Sequence, residues 1–318
     1  RSSSVDINRQ KLEGALMRIG ISVCSAFPEG DPKTSVRHMI ERVRAARGAD
    51  LDSLFVGDHH VTSRPYFQNS PILGRLLAEW NNKPAGALYL LPLWNPVLLA
   101  EQIGTLASIM QGRFILQCSL GGEKKQSEGM GVDFSKRVGM FEESLRLIKA
   151  LLAGERVSSE DYWAISDAKI SPVPDTKVEF WIGSQANVAI NRAARLADGW
   201  LATPSIGIDE AAKQLNVYKQ SCAEYDRQPT AISIRRDIYI GSTSQEAEVF
   251  KQNYIDKGYR GFAPEALLAG SVNQVAEEFA KFEALGYTDI VVRNISSEQS
   301  EAVATIERLS EVKSQLGG

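Results

Sequence analysis

The sequence is poor in cysteine and histidine, with three of each among 318 residues. The cysteines, Cys24, Cys118 and Cys222, are odd in number and far apart, which excludes a disulfide scaffold and fits a reducing, cytoplasmic compartment. Two of the histidines, His59 and His60, are adjacent, and no His-x-His or His-x-x-x-His spacing occurs. Zinc hydrolases use such spacings, so the sequence disfavours a metal-dependent hydrolase.

Long apolar runs and a surplus of basic charge are absent as well. No run reaches the ~18 residues that a membrane helix needs, and 36 Lys+Arg against 39 Asp+Glu give a formal charge of −3. We therefore expect neither a membrane nor nucleic acid as a partner. The sequence also lacks a Gly-x-Ser-x-Gly elbow and a P-loop, and it has no Gly-x-Gly-x-x-Gly after the first predicted strand.

What the sequence does contain is a regular alternation of short apolar runs with longer amphipathic runs. We expect residues 1–16, which are polar and rich in serine, to be a disordered leader or extension, and the fold to occupy residues 17–318. The predicted strands span residues 18–23, 53–57, 87–91, 113–118, 178–182, 200–203, 232–240 and 289–292. The predicted helices span residues 35–48, 96–110, 136–153, 185–197, 209–225, 244–257, 272–285 and 298–316.

Eight strands separated by helical segments predict a (β/α)8 TIM barrel of the α/β class. A doubly wound sheet would satisfy the same alternation with fewer strands. Residues 119–135, 154–177 and 258–270 are too long for simple connections, so we expect them to be loop insertions at the carboxyl-terminal face of the strands. Active sites of such barrels lie at that face.

The second predicted strand ends in Gly57-Asp58-His59-His60, which brings two of the three histidines to that face. A histidine there can act as a general acid or base near neutral pH. The alternative is a histidine that only packs or forms hydrogen bonds. Adjacent strand residues point to opposite sides, so the two imidazoles are not expected to chelate one ion.

Two glycine-containing turns are candidates for binding a phosphate. Gly121-Gly122 follows the fourth predicted strand, and Gly183-Ser184 lies between the fifth strand and a helix. The free N–H groups and the dipole of a helix N-terminus favour an anion, although Ser184 could instead be a simple N-cap. A barrel with a phosphate site but neither a metal nor a nucleophile implies a bound cofactor that carries the chemistry.

Several segments in the middle of the chain resemble a known family. They are Leu-Pro-Leu-Trp-Asn-Pro-Val at 91–97, Ala-Glu-Gln at 100–102, Thr-Leu at 105–106, Gly-Arg-Phe at 112–114 and Ala-Ala-Arg-Leu-Ala-Asp-Gly-Trp at 193–200. Asp-His-His at 58–60 precedes them and Gly-Tyr-Thr-Asp at 286–289 follows. In this order they resemble the bacterial luciferase-like monooxygenases over roughly residues 17–294. The resemblance implies a (β/α)8 barrel, often dimeric, that binds FMN or the deazaflavin F420 in its mouth.

The resemblance also assigns expected roles to individual residues. His59 matches the acid/base histidine of the family, and Asp58 beside it is the second residue expected to be catalytic. The residues expected to hold the cofactor phosphate are Gly183, Ser184 and Asn187, and those expected to line its ribityl or phosphate side are Leu120, Gly121 and Gly122. Ala87 and Leu88 match the position where the family places a cis peptide under the isoalloxazine ring, so both residues are expected to contact the cofactor.

The family pattern is not followed throughout, and this affects the choice of cofactor. Leu120 stands where luciferase has an arginine for the phosphate, so backbone donors or Lys124 and Lys125 would have to bind the phosphate of FMN. The main expectation is an FMN-dependent monooxygenase, a homodimer using O2, a small organic substrate and a separate flavin reductase. The alternatives are F420-dependent hydride transfer and a flavin-binding protein without catalysis.

Overall fold

The computed structural model describes residues 16–27 and 30–317. Most of the predicted leader therefore lies outside the described residues. The strands are β1 (Arg18–Val23), β2 (Ser53–Val56), β3 (Ala85–Leu90), β4 (Phe114–Ser119), β5 (Val157–Ser159), β6 (Ile165–Ala168), β7 (Glu179–Ser184), β8 (Gly199–Ala202), β9 (Ala231–Ile240), β10 (Leu267–Gly270) and β11 (Asp289–Asn294).

Ten α-helices lie among the described residues. They are α1 (Pro32–Gly48), α2 (Asn69–Leu76), α3 (Pro96–Ile109), α4 (Lys124–Gly129), α5 (Arg137–Leu152), α6 (Asn187–Leu196), α7 (Ile208–Glu224), α8 (Ser244–Asp256), α9 (Val272–Leu285) and α10 (Gln299–Leu316). Single 3-10 turns occur at Leu91–Leu93, Phe134–Lys136, Tyr259–Gly261 and Pro264–Ala266.

Local sequence signals fix several helix ends. The Asn95 side chain accepts hydrogen bonds from the Val97 and Leu98 backbone N–H groups, and Pro96 occupies the first position of α3. Ser271 and Gln274 form a reciprocal capping box at the start of α9. These caps satisfy backbone donors that would otherwise have no partner in the first helical turn.

The described residues divide into two compact units. The N-terminal unit contains Ser22–Arg47 and Ser53–Gly183, and the C-terminal unit contains Gly48–Asp52, Ser184–Gly318 and the described part of Arg1–Ile21. In the N-terminal unit the parallel order is β2–β3–β4–β7. In the C-terminal unit it is β8–β9–β11–β1, and β10 pairs with the second half of β9.

The four parallel strands β2, β3, β4 and β7 and the four parallel strands β8, β9, β11 and β1, with helices between consecutive strands, give the (β/α)8 barrel that the alternation predicts. Strand β10 is a fifth parallel strand of the C-terminal unit. All eight predicted strands and all eight predicted helices are confirmed, with ends that differ by three residues or fewer. All four residues of β2 are buried, as expected for a strand that is covered on both faces.

Five shorter elements, two helices and three strands, were not predicted from the sequence. Helices α2 and α4 have eight and six residues, strand β10 has four, and β5 and β6 form a small antiparallel hairpin in the insertion 154–177. Elements of this length contain too few residues to show a clear periodicity. Within the described residues, no helix is both long enough and apolar enough to cross a membrane.

Candidate active site

The candidate site of the N-terminal unit begins at the end of β3, which extends beyond the last residue that pairs with β2. Strand β2 pairs with β3 only as far as Val56 opposite Ala87, whereas β3 continues to Leu90. Beyond that point, two side chains make the hydrogen bonds to the β3 backbone that a neighbouring strand would otherwise make. Asn69 Nδ2 donates to the Leu88 carbonyl oxygen at 2.7 Å, and the Leu90 N–H donates to Asp58 Oδ2 at 2.9 Å. Both residues are buried, so they satisfy backbone groups that water cannot reach.

Asp58 is the centre of a buried cluster. Its Oδ2 also accepts a hydrogen bond from Trp94 Nε1 at 2.9 Å, and its Oδ1 lies 3.0 Å from His60 Nε2. The Asp58 side chain is 0% exposed and the His60 side chain 10%. Neither Oδ1 nor Nε2 makes an aligned hydrogen bond with any described residue, so this contact becomes an ion pair only when His60 is protonated.

Aromatic rings enclose this cluster. The Trp94 ring packs edge-on against the rings of His60 and Tyr89, with centroids 5.5 and 5.3 Å apart. The Tyr89 hydroxyl lies 2.8 Å from Ser70 Oγ, and burial raises the pKa of Tyr89. The ring contacts restrict the orientation of the imidazole beside Asp58.

His59 is more exposed than Asp58, the carboxylate partner of His60. The hydrogen bonds next to His59 determine which of its ring nitrogens carries the proton. The His60 backbone N–H donates to Gln126 Oε1 at 2.8 Å, which identifies the other amide atom of Gln126 as its NH2 group. That NH2 lies 3.4 Å from His59 Nδ1. Nδ1 is therefore the acceptor, and neutral His59 carries its proton on Nε2.

Close packing around Tyr66 positions His59. The two rings have centroids 5.6 Å apart. A Cβ atom at Gly57 would lie 2.6 Å from the Tyr66 hydroxyl oxygen, so the residue before Asp58 has no room for a side chain. The glycine thus lets Tyr66 pack beside the segment that carries the two histidines.

Leu120, Gly121 and Gly122 follow β4 in the same unit. Gly121 has a φ of +72°, which a residue with a side chain rarely adopts, and a Cβ at Gly122 would meet no atom within 4 Å. The backbone here is open to close approach by a ligand. The prediction that these residues line the cofactor is compatible with this geometry and stays a prediction.

Ala87 and Leu88 lie in β3, where they pair regularly with Leu116 and Gln117 of β4. The cis peptide bond among the described residues is Ser171-Pro172, so the cis peptide that the family places at Ala87-Leu88 does not occur here. The expectation that these two residues contact the cofactor stays a prediction.

The phosphate-binding candidates Gly183 and Ser184 end β7, and Asn187 begins α6. The N-cap of α6 is Ala186, which has no side-chain hydrogen bond, so the N-cap interpretation of Ser184 is wrong. Instead, Trp200 Nε1 donates to Ser184 Oγ at 3.0 Å. Because that oxygen is the acceptor, the hydroxyl proton of Ser184 is left to donate elsewhere. Asn187 is exposed.

A second buried aspartate lies in the C-terminal unit and was not predicted. Asp237 on β9 accepts hydrogen bonds from Arg293 Nε and Nη2, both at 2.9 Å, and from Arg260 Nη1 at 3.3 Å. Burial alone would raise the pKa of Asp237, but the guanidinium groups of Arg293, Arg235 and Arg260 lower it below its ordinary value. The described residues contain no group of three or more metal-ligating side chains.

Other residues of the site were also missed from the sequence. Asn69 and Gln126 lie on the short helices α2 and α4, and nothing in their spacing marks them. Trp94 was noted only as part of the family-like segment 91–97. Its proximity to Asp58 depends on the turn after β3, which sequence periodicity does not describe.

Comparisons with known proteins agree on the family. The model for luciferase-like monooxygenases matches residues 17–289. The F420-dependent glucose-6-phosphate dehydrogenase of Mycolicibacterium smegmatis is 27% identical over 85% of this chain and 83% of its own.

Two solved structures share the fold. Monooxygenase RslO1 from Streptomyces bottropensis has a TM-score of 0.79 at 16% identity, over 93% of this chain and 98% of its own. The oxygenating constituent of 3,6-diketocamphane monooxygenase from Pseudomonas putida, in complex with FMN, has a TM-score of 0.75 at 19% identity, over 93% and 97%. The chain belongs to the luciferase-like monooxygenase family of oxidoreductases.

Proposed function

We propose that the protein is an F420-dependent oxidoreductase that transfers a hydride between the deazaflavin and a small organic alcohol or carbonyl compound. His59 would move the accompanying proton. The observation that carries this proposal is the arrangement of His59, whose Nδ1 faces Gln126 and whose Nε2 is left for the substrate. Similarity to an F420-dependent dehydrogenase over 85% of the chain supports the choice of cofactor.

The hydrogen-bond donors of the chain fit such a cofactor. Gly121 and Gly122 allow a ligand to approach the backbone in the N-terminal unit. In the C-terminal unit, the Ser184 hydroxyl and the first N–H groups of α6 suit a phosphate. When bound, F420 supplies the hydride acceptor or donor.

The residues around His59 have supporting roles. Oxidation of an alcohol releases a proton from its hydroxyl group, and neutral His59 could accept it only on a nitrogen that is free of a proton. His59 is only half-buried. Rotation of its ring, or exchange of the Nε2 proton with solvent, would therefore present an unprotonated ring nitrogen to the alcohol. In the opposite direction the Nε2 proton is already placed for donation to a carbonyl oxygen. Asp58 is enclosed, so we assign it to positioning β3 and His60.

An FMN-dependent monooxygenase is the second candidate. It is supported by the shared fold with an FMN-bound monooxygenase. Residues 119–135 and 258–270 would then shield the reaction from water, and a flavin reductase would supply reduced FMN. Leu120 offers no charge for the FMN phosphate, so backbone N–H groups would have to bind it.

The test compares His59→Ala with His38→Ala, a half-buried histidine on α1 that lies outside the cluster. We expect His59→Ala to lower turnover with F420 by about 10²–10⁴-fold and to leave the cofactor Kd unchanged. His38→Ala should change neither. Loss of cofactor binding in His59→Ala would instead show that this histidine is structural, and unchanged turnover would overturn its role.

A further inference from the structure

Gln117 carries a buried hydrogen-bond donor without a partner. The residue is 4% exposed, and its Nε2 makes no hydrogen bond with any described residue. It lies in the middle of β4, directly opposite Leu88 on β3 and Trp181 on β7. Paired residues of neighbouring parallel strands project to the same side of the sheet, so the Gln117 amide shares its face with these two side chains.

The neighbours cannot satisfy this amide. Leu88 has an apolar side chain, and Trp181 has a single polar atom, Nε1, which donates to Glu179 Oε1 at 2.7 Å. Glu179 is also paired with Arg113 at 2.9 Å. A buried donor in this state destabilises the folded chain, and a bound ligand that completes the hydrogen bond would remove this cost.

The position of Gln117 in the ladder connects it to the candidate active site. Two residues further along β4, Ser119 pairs with Leu90, whose N–H is held by Asp58. Two residues of a parallel strand span roughly 6.6 Å. The amide therefore lies two residues before the level of Leu90, near the carboxyl ends of the strands, where barrel enzymes bind their ligands.

We propose that the Gln117 carboxamide recognises the cofactor ring, its NH2 donating a hydrogen bond to a carbonyl oxygen or ring nitrogen of the pyrimidinedione that F420 and FMN share. This inference rests on the proposed function. It holds for either cofactor, because the acceptor atoms of that ring are common to both. Gln117, which pairs with Leu88 across the β3–β4 ladder, would thus have a function in cofactor binding.

The experiment compares the wild type with Gln117→Met, which keeps the length of the side chain, and Gln117→Leu. Fluorescence titrations with F420 and with FMN give the Kd, and thermal unfolding gives the Tm of the cofactor-free protein. We expect both variants to weaken binding of the preferred cofactor about tenfold, the effect of losing one hydrogen bond. The Tm without cofactor should stay the same or rise, because an unpaired buried amide is removed.

Gln214→Leu is the matched control. Gln214 is 3% exposed, and its Oε1 also makes no hydrogen bond with described residues, but it lies on α7 in the C-terminal unit. This variant should leave the Kd unchanged.

Three results would contradict the inference. Wild-type affinity in both Gln117 variants would overturn it, and a clear fall in their cofactor-free Tm would assign the amide to the structure instead. Failure of the wild-type protein to bind either cofactor would overturn the proposed function, and the inference with it.

Discussion

Two aspartates, Asp58 and Asp237, have side chains that are fully shielded from solvent, and their charges are balanced differently. Asp237 receives two parallel hydrogen bonds from Arg293 and a third from Arg260. Asp58 receives hydrogen bonds from a backbone N–H and an indole N–H, which are neutral, and its nearest ionisable neighbour is His60.

The difference separates a carboxylate that is held by permanent charges from one that is held by neutral donors. A guanidinium stays charged at every physiological pH, so the pair of Asp237 with Arg293 is permanent. The hydrogen bonds to Asp58 come from a backbone N–H and an indole N–H, which carry no charge. Removal of the carboxylate charge should therefore cost less stability at Asp58 than at Asp237.

The largest expected effect is on Asp237. Asp237→Asn removes the negative charge that the buried Asp237 presents to the half-buried Arg293, and breaking such a pair should lower the free energy of unfolding by about 3–5 kcal/mol. Urea unfolding measures this. Asp256→Asn, at an exposed position on α8, is the control and should change stability by less than about 0.5 kcal/mol. A loss as small as the control's would contradict the assignment of Asp237 as a charge-paired structural residue.

A smaller effect is expected at Asp58. In Asp58→Asn the amide oxygen can still accept the hydrogen bonds from Leu90 and Trp94, and the new NH2 can donate to Nε2 of neutral His60. The cost should be about 1 kcal/mol, since two hydrogen bonds to a charged acceptor become neutral ones. If Asp58→Asn destabilised the protein as much as Asp237→Asn, the two sites would not differ as described.

The smallest effect concerns a carboxylate at the surface. Arg44 and Arg75 donate to Glu79, and these hydrogen bonds lower the pKa of Glu79 from 4.5 to about 2. Because the pKa is lower in the folded state, this stabilisation is complete above pH 4.5 and disappears as the pH falls toward 2.

The Tm difference between wild type and Glu79→Gln should therefore be small at pH 7 and shrink further in acid. High salt should reduce it too, since both arginines are about half exposed. A difference that grows as the pH falls would have the wrong sign for this pairing.

The fold could be predicted because its signals are local and repeated. Strands of apolar residues, capped helices and their strict alternation define the (β/α)8 barrel without any knowledge of long-range contacts. The position of His59 just after β2 could be predicted too, because the end of a strand marks the active face of a barrel, whereas its role as an acid or base stays a prediction. The order of the family-like segments then pointed to the correct family.

The remaining parts of the site depend on contacts between distant residues. The pairing of Asp237 with Arg293 joins residues 56 positions apart and requires the register of β9 against β11. Gln126 reaches His59 only because a short helix forms inside a segment with no periodicity. The unpaired state of Gln117 is visible only once every neighbouring donor and acceptor has been placed.

The most direct test of the proposed function is a titration of the wild-type protein with F420 and with FMN, oxidised and reduced, followed by fluorescence. F420 is expected to bind with the lower Kd, and oxidation of the bound reduced cofactor should require a carbonyl substrate and not O2. Preference for FMN with rapid O2-dependent oxidation would contradict hydride transfer through F420 and support the monooxygenase. Binding of neither would contradict both.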